Sequence, residues 1–292
     1  MEQSEFEERF VKMERWWESL RSELAVIISE SPPIIIYHYT DINGLLGMIL
    51  SGKIWATHIS RLNDSSEYHH GIKVVADCVR AAMPASSKQL VEKILSEFEK
   101  VETYVASYST EHDLLSQWRS YSGGKVGYCL GLAIDGIATL DDSTPLLEAV
   151  IYKDSLAQRV ISTMLYRVDE YLQANKCGEV EVGFLLGMVG GTLANLACTI
   201  KHPKFEEESE YRQFYQPDAT SLQLEIKFRN GRFGLTSYVE VPFIDEGRLP
   251  LRSVTIGPCQ DAALEMSTVK TLLEEHSYTN VEVLISEIPL RV

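Results

Sequence analysis

Residues 205–215 read Phe-Glu-Glu-Glu-Ser-Glu-Tyr-Arg-Gln-Phe-Tyr and gather acidic, aromatic and basic side chains within one short stretch. Glu208 and Glu210 are two residues apart, so on a strand both carboxylates project from one face, because side chains alternate with a period of two. Arg212 then shares that face, and Tyr211 points the other way, into a core. Two carboxylates and a guanidinium on one edge form either a binding site or a solvated ion-pair face, which is the commoner outcome for a run of charges.

The whole chain has the composition of an ordinary globular protein. Its 292 residues suffice for one large domain or two small ones with a sizeable core, and 45% of them are hydrophobic. The formal net charge of −15 makes the chain a poor general binder of nucleic acid or anionic membranes, because phosphate contacts require lysine and arginine. The apolar runs are shorter than a membrane span and the N-terminus has no signal peptide, so we expect a cytoplasmic protein with no membrane partner.

The cysteines and histidines argue against a metal site. The five cysteines are scattered, odd in number and without a C-x-x-C pair, a pattern typical of a reduced interior with buried thiols. His69 and His70 are adjacent, while His38 and His202 lie far apart in the sequence. We therefore predict no bound zinc and no other metal cofactor.

Residues 1–31 are predicted to form an N-terminal helix ahead of the main domain. Ser4 is a suitable N-cap for a helix over residues 4–30, and apolar side chains recur at three- and four-residue steps. Its apolar stripe either packs on the domain or forms a homodimer contact. Pro32 and Pro33 end the helix.

The remainder, residues 32–292, is predicted to be a single α+β domain, because strand and helix patterns alternate without a long linker or a repeat. Two helices within about residues 155–200 interrupt the strand-rich part as a helical insertion. A hairpin is expected across Asn230-Gly231, a type I′ turn signal. The predicted strands cover about residues 34–39, 54–57, 104–108, 126–134, 147–152, 222–229, 232–241, 251–256 and 281–287. The predicted helices cover about residues 43–51, 65–82, 86–103, 155–175, 180–200 and 260–275.

Local motifs outside the acidic stretch each have an ordinary structural explanation. His38 lies between two tyrosines, where a histidine is more often packed than catalytic. Asn63 and Asp64 suit a helix N-cap, and Trp118 suits an aromatic anchor. Gly257-Pro258 after a strand suits a close backbone approach to a ligand.

In their order and spacing, however, the motifs resemble a widespread microbial family known as domain of unknown function 2971 (DUF2971). The similarity runs from about residue 35 to the C-terminus and leaves out the N-terminal helix. Tyr211 stands where the family usually has Trp. The motifs that carry the resemblance are Tyr37-His38-Tyr39-Thr40, Leu62-Asn63-Asp64-Ser65-Ser66-Glu67, Trp118-x-x-Tyr121, Gly127-Tyr128-Cys129-Leu130-Gly131, Glu208-Ser209-Glu210-Tyr211-Arg212, Ile256-Gly257-Pro258 and Ser286-Glu287-Ile288-Pro289-Leu290-Arg291.

The same motifs are distantly similar to the ADP-ribosyltransferase superfamily. That resemblance implies a mixed, largely antiparallel split-sheet core and a site in which a histidine, a middle aromatic or hydroxyl residue and a late glutamate surround NAD. The matching positions are His38, Tyr121 and Glu210, although the surroundings of Tyr121 indicate a helix or loop. Glu208 completes an E-x-E spacing seen in some of these transferases.

The resemblance also implies roles for individual side chains. Glu210 would stabilise the oxocarbenium ion that forms when the nicotinamide–ribose bond breaks, and Glu208 would orient or deprotonate the acceptor. Arg212 would keep Glu210 ionised or contact the pyrophosphate. No Gly-rich dinucleotide fingerprint occurs, so NAD is expected as a substrate rather than as a redox cofactor. The catalytic residues implied are Glu210, Glu208 and His38. The NAD-binding residues implied are His38, Tyr39, Thr40, Arg61, Asn63, Trp118, Tyr121 and Arg212.

Three functions remain open at this point. The first is an NAD-consuming ADP-ribosyltransferase-like enzyme, a transferase or glycohydrolase acting as a toxin or phage-defence effector, whose acceptor is protein, nucleic acid, a small molecule or water. The second is a non-catalytic nucleotide-binding or sensor module on the same scaffold. The third is a metal-dependent nuclease that uses Asp64, Glu67, Glu208 and Glu210.

Overall fold

A sheet and a group of helices share this chain. The computed structural model describes residues 3–28, 33–61, 65–82, 92–96, 102–122, 124–136, 147–216, 224–231, 234–243 and 247–289. By their internal contacts, Pro33–Ser65, Glu102–Val150 and Lys204–Val292 form one unit, here the sheet unit. Met1–Pro32, Ser66–Val101 and Ile151–Pro203 form the other, here the helical unit.

The predicted α+β class is confirmed, with a mixed sheet of ten strands within the described residues. In chain order the elements are α1 (Gln3–Ile28), β1 (Ile35–Thr40), α2 (Ile42–Ser51), β2 (Ile54–His58), α3 (Ser65–Ala82), β3 (Tyr104–Ser109), α4 (Leu115–Tyr121), β4 (Tyr128–Ala133), β5 (Leu147–Ala149), α5 (Asp154–Asn175), α6 (Glu179–Thr199), β6 (Glu210–Tyr215), β7 (Lys227–Gly231), β8 (Gly234–Val241), β9 (Leu251–Ile256), α7 (Ala262–Glu275) and β10 (Glu282–Ile285). Of the predicted helix 86–103, residues 92–96 are described and helical, and residues 102–103 are not helical.

The sheet divides at β3. The strands run in the order β10, β9, β4, β1, β3, β2, β8 and β7, and β6 joins through β3 with β5 beside it. One edge of β3 pairs with β6 along its whole length. The other edge is shared, because β1 pairs with it at Tyr37↔Ser109 and β2 at Thr57↔Val105 and one further pair. Residues 106–108 therefore border a gap between β1 and β2.

The connection between β1 and β2 forms as the sequence predicts. Asp41 caps α2 by accepting a hydrogen bond from the Gly44 N–H at 2.9 Å. Gly52 ends the helix with φ +65°, the left-handed conformation that glycine adopts without steric cost. The cap and the terminating glycine thus set the lengths of both elements.

The predicted hairpin is present, but its turn lies later than expected. β7 and β8 are antiparallel, and Asn230 and Gly231 pair with Leu235 and Gly234. These two residues therefore extend β7, and the prediction of a turn at Asn230-Gly231 is wrong. The strand pairing continues to Gly234, whose φ of +114° gives the backbone a conformation that glycine favours. The antiparallel pairing of β7 with β8 thus continues through the two residues that the local signal marked as a turn.

The helical unit is organised around the apolar faces of α1, α5 and α6. Met13, Trp17 and Leu20 of α1 belong to one buried cluster with side chains from the other two helices. The ring of Trp16, which leaves the main stripe, stacks on Tyr171 at 4.3 Å. The apolar stripe predicted for α1 thus packs against other helices of the helical unit.

Helix α6 is long and apolar enough to cross a membrane by length and composition, the one such helix within the described residues. In its most apolar window 61% of the residues are buried inside the structure. Buried positions such as Leu185, Val189 and Leu193 contribute to the cluster just described. This is the pattern of a core helix, whose apolar character serves packing.

Candidate functional site

The acidic stretch changes conformation at Ser209. Pro203–Glu208 form a 3-10 turn, Ser209 has φ +42°, and strand β6 begins only at Glu210. The prediction that strand alternation carries both carboxylates is therefore wrong for Glu208. The reason is a contact from β3, since the Ser109 hydroxyl donates a hydrogen bond to the Glu208 carbonyl at 2.7 Å and fixes the turn.

Glu210 and Arg212 form a buried ion pair. The Arg212 Nε lies 2.7 Å from Glu210 Oε1 and its Nη2 lies 3.0 Å from Oε2, so both carboxylate oxygens accept from one guanidinium. The residues are 6% and 3% exposed, so this pair is not a solvated ion-pair face. The predicted sharing of one strand face is confirmed for these two side chains. Tyr211, between them, packs partly buried against the core of the sheet unit.

Both predicted carboxylates reach one small cavity in the sheet unit, here called the Glu210 cavity. Its volume is about 10 Å³, room for about one water molecule. Its walls come from β1, β3, α4 and the turn before β6. The lining residues are Tyr37, Tyr39, Ser107, Tyr108, Ser109, Gln117, Tyr121, Glu208 and Glu210.

The tyrosines at the cavity are hydrogen-bonded and neutral. The Tyr39 hydroxyl donates to the Glu111 carbonyl at 2.8 Å and accepts from the Leu114 N–H at 3.0 Å. The Tyr108 hydroxyl donates to Gln213 Oε1 at 2.8 Å. Burial raises the pKa of both phenols well above the ordinary value. These phenols therefore bind and orient neighbouring groups, and they do not act as bases at neutral pH.

His38 lies beside the cavity and does not line it. Its Nδ1 is 2.9 Å from the Ser107 carbonyl, on the stretch of β3 that borders the gap between β1 and β2. Because a carbonyl only accepts, Nδ1 carries the proton and Nε2 of the neutral ring is an acceptor. The pKa of His38 is lowered to about 4, first by burial and further by the charge of Arg229, although the Ser107 hydrogen bond opposes both. The ring is thus uncharged at neutral pH.

Trp118 is an anchor of the core. It is 1% exposed, its ring packs edge-on against Tyr39 at 4.8 Å, and its Nε1 donates to Asp113 Oδ1 at 2.6 Å. Asp113 also accepts from the Ser286 hydroxyl at 2.6 Å and the Glu287 N–H at 2.9 Å. Trp118, Tyr39, Asp113, Gly127 and Gly257 are here called the Trp118 cluster. Because the indole is almost fully buried within it, neither ring face is open to a ligand. In this structure Trp118 therefore presents no ring face to NAD, although the resemblance implies that it is an NAD-binding residue.

Two motif glycines are explained by the same indole. A Cβ atom at Gly257 would lie 2.9 Å from the Trp118 ring, and one at Gly127 would lie 3.2 Å from it. The Gly257 N–H donates to the Gly127 carbonyl at 2.8 Å, which holds both backbones against the ring. The close approach predicted at Gly257 is therefore made to Trp118 and not to a ligand.

The other predicted site residues are dispersed. Tyr121 ends helix α4, as its surroundings indicated, and its side chain lines the cavity. Thr40 is buried at the end of β1, and Arg61 is exposed at the end of a 3-10 turn. Neither is among the cavity-lining residues. Asn63 and Asp64 lie outside the described residues, and so does the side chain of Glu67.

Metal ligands are not gathered at the site. Within the part of the chain that the structure describes, no group of three or more His, Cys, Asp or Glu residues could hold a metal ion. Glu208 and Glu210 therefore meet no third ligand there. The nuclease hypothesis depends on Asp64 and Glu67, which the described side chains do not include.

Sequence reasoning missed several residues of the site. Gln117, Ser107 and Ser109 line the cavity, but on β3 and α4 no local pattern separates them from other polar side chains. Asp113 precedes the Trp118 motif in a polar loop, and only the fold shows that it binds three separate groups. Arg229 could have been found, because Lys227 and Arg229 alternate on a predicted strand and so share one face.

A larger cavity, about 380 Å³, lies in the helical unit at the turn between α5 and α6. Two of its three lining cations contact residues at that turn. Arg9 Nε lies 2.8 Å from Glu181 Oε1, and Lys12 Nζ donates to Asn175 Oδ1 at 3.1 Å. Structural contacts thus account for these charges, and the smaller Glu210 cavity remains the better candidate site.

The fold and the site define an α+β protein with a divided mixed sheet and a buried carboxylate–guanidinium pair beside a tyrosine-lined cavity. Residues 117–213 match the model of a family described as "Protein of unknown function (DUF2971)". The resemblance to this family is thus confirmed over that segment, which contains Tyr121, Glu208, Glu210 and Arg212, and the predicted span from residue 35 was longer. No curated protein and no solved structure matches the chain.

Proposed function

We propose that this chain is an NAD-consuming enzyme of the ADP-ribosyltransferase type, a transferase or glycohydrolase that uses Glu210 as its central catalytic residue. The observation that carries the proposal is the meeting of Glu210 and Glu208 at one cavity beside the division of the sheet. A buried carboxylate at the end of a strand, oriented by a fixed guanidinium, is suited to stabilising a developing positive charge.

The proposed reaction breaks one bond and forms one. The bond between the nicotinamide nitrogen and ribose C1′ breaks heterolytically, and its electron pair neutralises the pyridinium nitrogen of the leaving nicotinamide. The ribose becomes an oxocarbenium ion, which the Glu210 carboxylate stabilises. Water or an acceptor group then bonds to C1′ and loses a proton, and Glu208 is placed to accept it.

The surrounding side chains orient the reacting groups. Arg212 holds both oxygens of Glu210 and favours its ionised form, because an adjacent positive charge stabilises the carboxylate. Tyr121 and Gln117 supply an aromatic edge and an amide at the same cavity. His38 acts as a positioning residue through the Ser107 carbonyl, and its Nε2 offers a hydrogen-bond acceptor to a sugar hydroxyl.

A cavity with room for about one water does not admit a nucleotide, so binding requires its walls to separate. The turn Pro203–Glu208 is the least buried wall of the cavity, and the Ser109 hydroxyl donates to its last carbonyl. Opening at this turn would move Glu208 and leave the Glu210–Arg212 pair on β6 in place.

The cellular location and the biological role that we propose follow from the reaction. NAD is a cytoplasmic metabolite, so the proposal includes a cytoplasmic location. Loss of NAD, or modification of an essential protein or nucleic acid, stops growth, and a toxin or phage-defence role belongs to the same proposal.

A second candidate, a non-catalytic nucleotide-binding module, is favoured by one observation. Both oxygens of Glu210 already accept from Arg212 at 2.7 and 3.0 Å, which is also how a purely structural ion pair is arranged. Such a module would gain thermal stability with NAD and release no nicotinamide.

The test is nicotinamide release from NAD by the purified chain and by Glu210→Gln. We expect the wild type to release nicotinamide and Glu210→Gln to lose at least about 100-fold in rate, because one carboxylate that stabilises the transition state is worth several kcal/mol. Wild-type chain that binds NAD and releases no nicotinamide, with candidate acceptors present, would instead establish the binding module.

A folding control is required because Glu210→Gln leaves a buried guanidinium without its full counter-charge. The double variant Glu210→Gln/Arg212→Gln removes both charges and leaves two amides that can hydrogen-bond each other. A double variant that is folded by circular dichroism and inactive assigns the loss to the missing carboxylate. An active, folded double variant would remove Glu210 from the mechanism.

A further inference from the structure

Arg229 is a cation with an elaborate setting that the mechanism above does not use. Its guanidinium lies 5.0 Å from the ring centroid of Trp55 and 5.4 Å from that of Tyr238, over two adjacent aromatic rings whose centroids are 4.9 Å apart. Its Nη2 donates to the Thr57 hydroxyl at 2.8 Å. The ring contacts and this one hydrogen bond within the described part of the chain orient the planar group, and other donors of its fork can serve an anion.

The strand register places Arg229 on the same sheet face as Glu210. Directly paired residues of antiparallel strands project to one side. The paired residues run across the sheet from Phe214 through Val105 and Thr57 to Tyr238 and Lys227. Glu210 lies four residues before Phe214 on β6, and Arg229 lies two residues after Lys227 on β7. Both steps are even, so both side chains keep to that face.

The separation fits an extended ligand. The guanidinium donates to Thr57 on β2, and β2 is two strands away from β6 in the sheet. Thr57 is aligned through Val105 with Phe214 of β6, and Glu210 is four residues from Phe214 along that strand. At about 4.8 Å per strand and about 3.3 Å per residue, Glu210 and the guanidinium are on the order of 15 Å apart. A ligand that contacts both must carry its anionic group several bonds away from its ribosyl carbon.

We propose that Arg229 binds the diphosphate of a nucleotide whose ribosyl carbon reacts at Glu210, so that the ligand lies across β3. This inference rests on the proposed function and adds the residue that binds the diphosphate of its substrate. The guanidinium fork matches phosphate oxygens in two parallel hydrogen bonds.

Two further features support this position. The indole Nε1 of Trp55 is buried and has no acceptor among the described residues, and a phosphate oxygen beside Arg229 would provide one. His38, whose ring borders the gap between β1 and β2, lies within electrostatic range of Arg229, as do Tyr121 and Asp41. Of these residues, Tyr121 also lines the Glu210 cavity.

The test is binding of ADP, measured by isothermal titration calorimetry. We expect Arg229→Gln to weaken ADP binding by at least about tenfold, because a charge-assisted hydrogen-bond pair is lost. Arg229→Lys should weaken it less, since lysine keeps the charge without the planar fork. Lys227→Gln is the matched control, because Lys227 lies on the same strand face and pairs with Glu240 at 2.8 Å, and it should bind ADP within about twofold of wild type.

The outcomes separate this site from the reaction. Equal ADP affinities for Arg229→Gln and Lys227→Gln, with both folded by circular dichroism, would overturn the inference and show that Arg229 only packs over the rings of Trp55 and Tyr238. Wild-type chain that does not bind ADP would overturn it too. Glu210→Gln should bind ADP like the wild type. If ADP binding depends on Arg229 and no nicotinamide is released, the anion site stands and the proposed reaction falls.

Discussion

The Trp118 cluster and the Glu210 cavity lie in the same sheet unit and both come from motifs that the sequence makes conspicuous, yet they differ in what their polar groups do. In the Trp118 cluster the indole donates to Asp113, which also accepts from Ser286 and Glu287. The backbones of two glycines pack against the same indole ring. The Glu210 cavity, by contrast, is a space with room for about one water molecule, and two glutamates, four tyrosines, two serines and a glutamine line it.

The difference shows that a conspicuous motif has two physical origins. Trp118, Gly127 and Gly257 are constrained by shape, because a ring and two backbones occupy one small volume. Glu210 is constrained by charge, because a buried carboxylate requires hydrogen bonds or a counter-charge, and the half-buried Glu208 lies at the same cavity. Changes in the first region should therefore alter stability, and changes in the second should alter activity at nearly constant fold.

The largest expected effect on stability is that of Trp118→Ala. Removing a fully buried indole should lower the free energy of unfolding by about 3–5 kcal/mol, because packing contacts are lost and a cavity remains. Urea unfolding followed by circular dichroism measures this. Tyr166→Ala, at an exposed tyrosine of α5, is the control and should cost little. A loss below about 1 kcal/mol at Trp118 would contradict its assignment as an anchor.

Asp113→Asn should have a smaller effect in the same region. The amide keeps one acceptor oxygen and presents an NH₂ group where the carboxylate received hydrogen bonds from Trp118, Ser286 and Glu287. Leaving such donors unmatched should lower the free energy of unfolding by about 1–3 kcal/mol. The matched control is Asp135→Asn at an exposed position, which should be nearly neutral in the same urea titration. Equal stability of the two variants would show that Asp113 does not hold the C-terminal segment.

The smallest expected effect concerns His38 and is confined to acid pH. Its pKa in the folded chain, about 4, is below the ordinary value of 6.5, so the fold favours the neutral ring. The stability that His38 contributes is therefore complete above pH 6.5 and is lost as the pH falls from 6.5 towards 4.

His38→Asn should accordingly reduce the acid sensitivity of the melting temperature between pH 7 and about 4.5. The other titrating groups are common to both chains, so the difference between the two curves reports His38. His69→Gln, an exposed histidine of α3, should follow the wild-type curve. Parallel curves for wild type and His38→Asn would show that the ring is not held neutral by its surroundings.

Particular residues show how much of the structure could be predicted from the sequence. Asp41 and Gly52 define α2 by local chemistry, and the alternation of Glu210 and Arg212 follows from strand geometry, so both were predictable. The position of Glu208 was not, because a hydroxyl from β3 holds the preceding turn. The hairpin turn after Gly231 was misplaced because ladder pairing outweighed a local turn signal.

The candidate site was only partly predictable for the same reason. Glu210, Glu208, Tyr121 and Tyr39 meet at the cavity, whereas the burial of Trp118 depends on Gly127 and Gly257, which are distant in the sequence. Arg229 lies on the edge strand β7 and reaches Thr57 on β2 across β8, a relation that only the sheet order reveals. Pairings between segments that are distant in the sequence determine these positions, and local sequence patterns do not reveal them.

The central claim is that Glu210 carries chemistry while Trp118 carries packing. It is tested most directly by nicotinamide release from NAD by Glu210→Gln and Trp118→Phe, each compared with wild type at a temperature where all three are folded. We predict at least about a 100-fold loss of rate for Glu210→Gln and a rate within about threefold of wild type for the conservative Trp118→Phe. Equal losses in the two folded variants, or an unchanged rate in Glu210→Gln, would contradict the account.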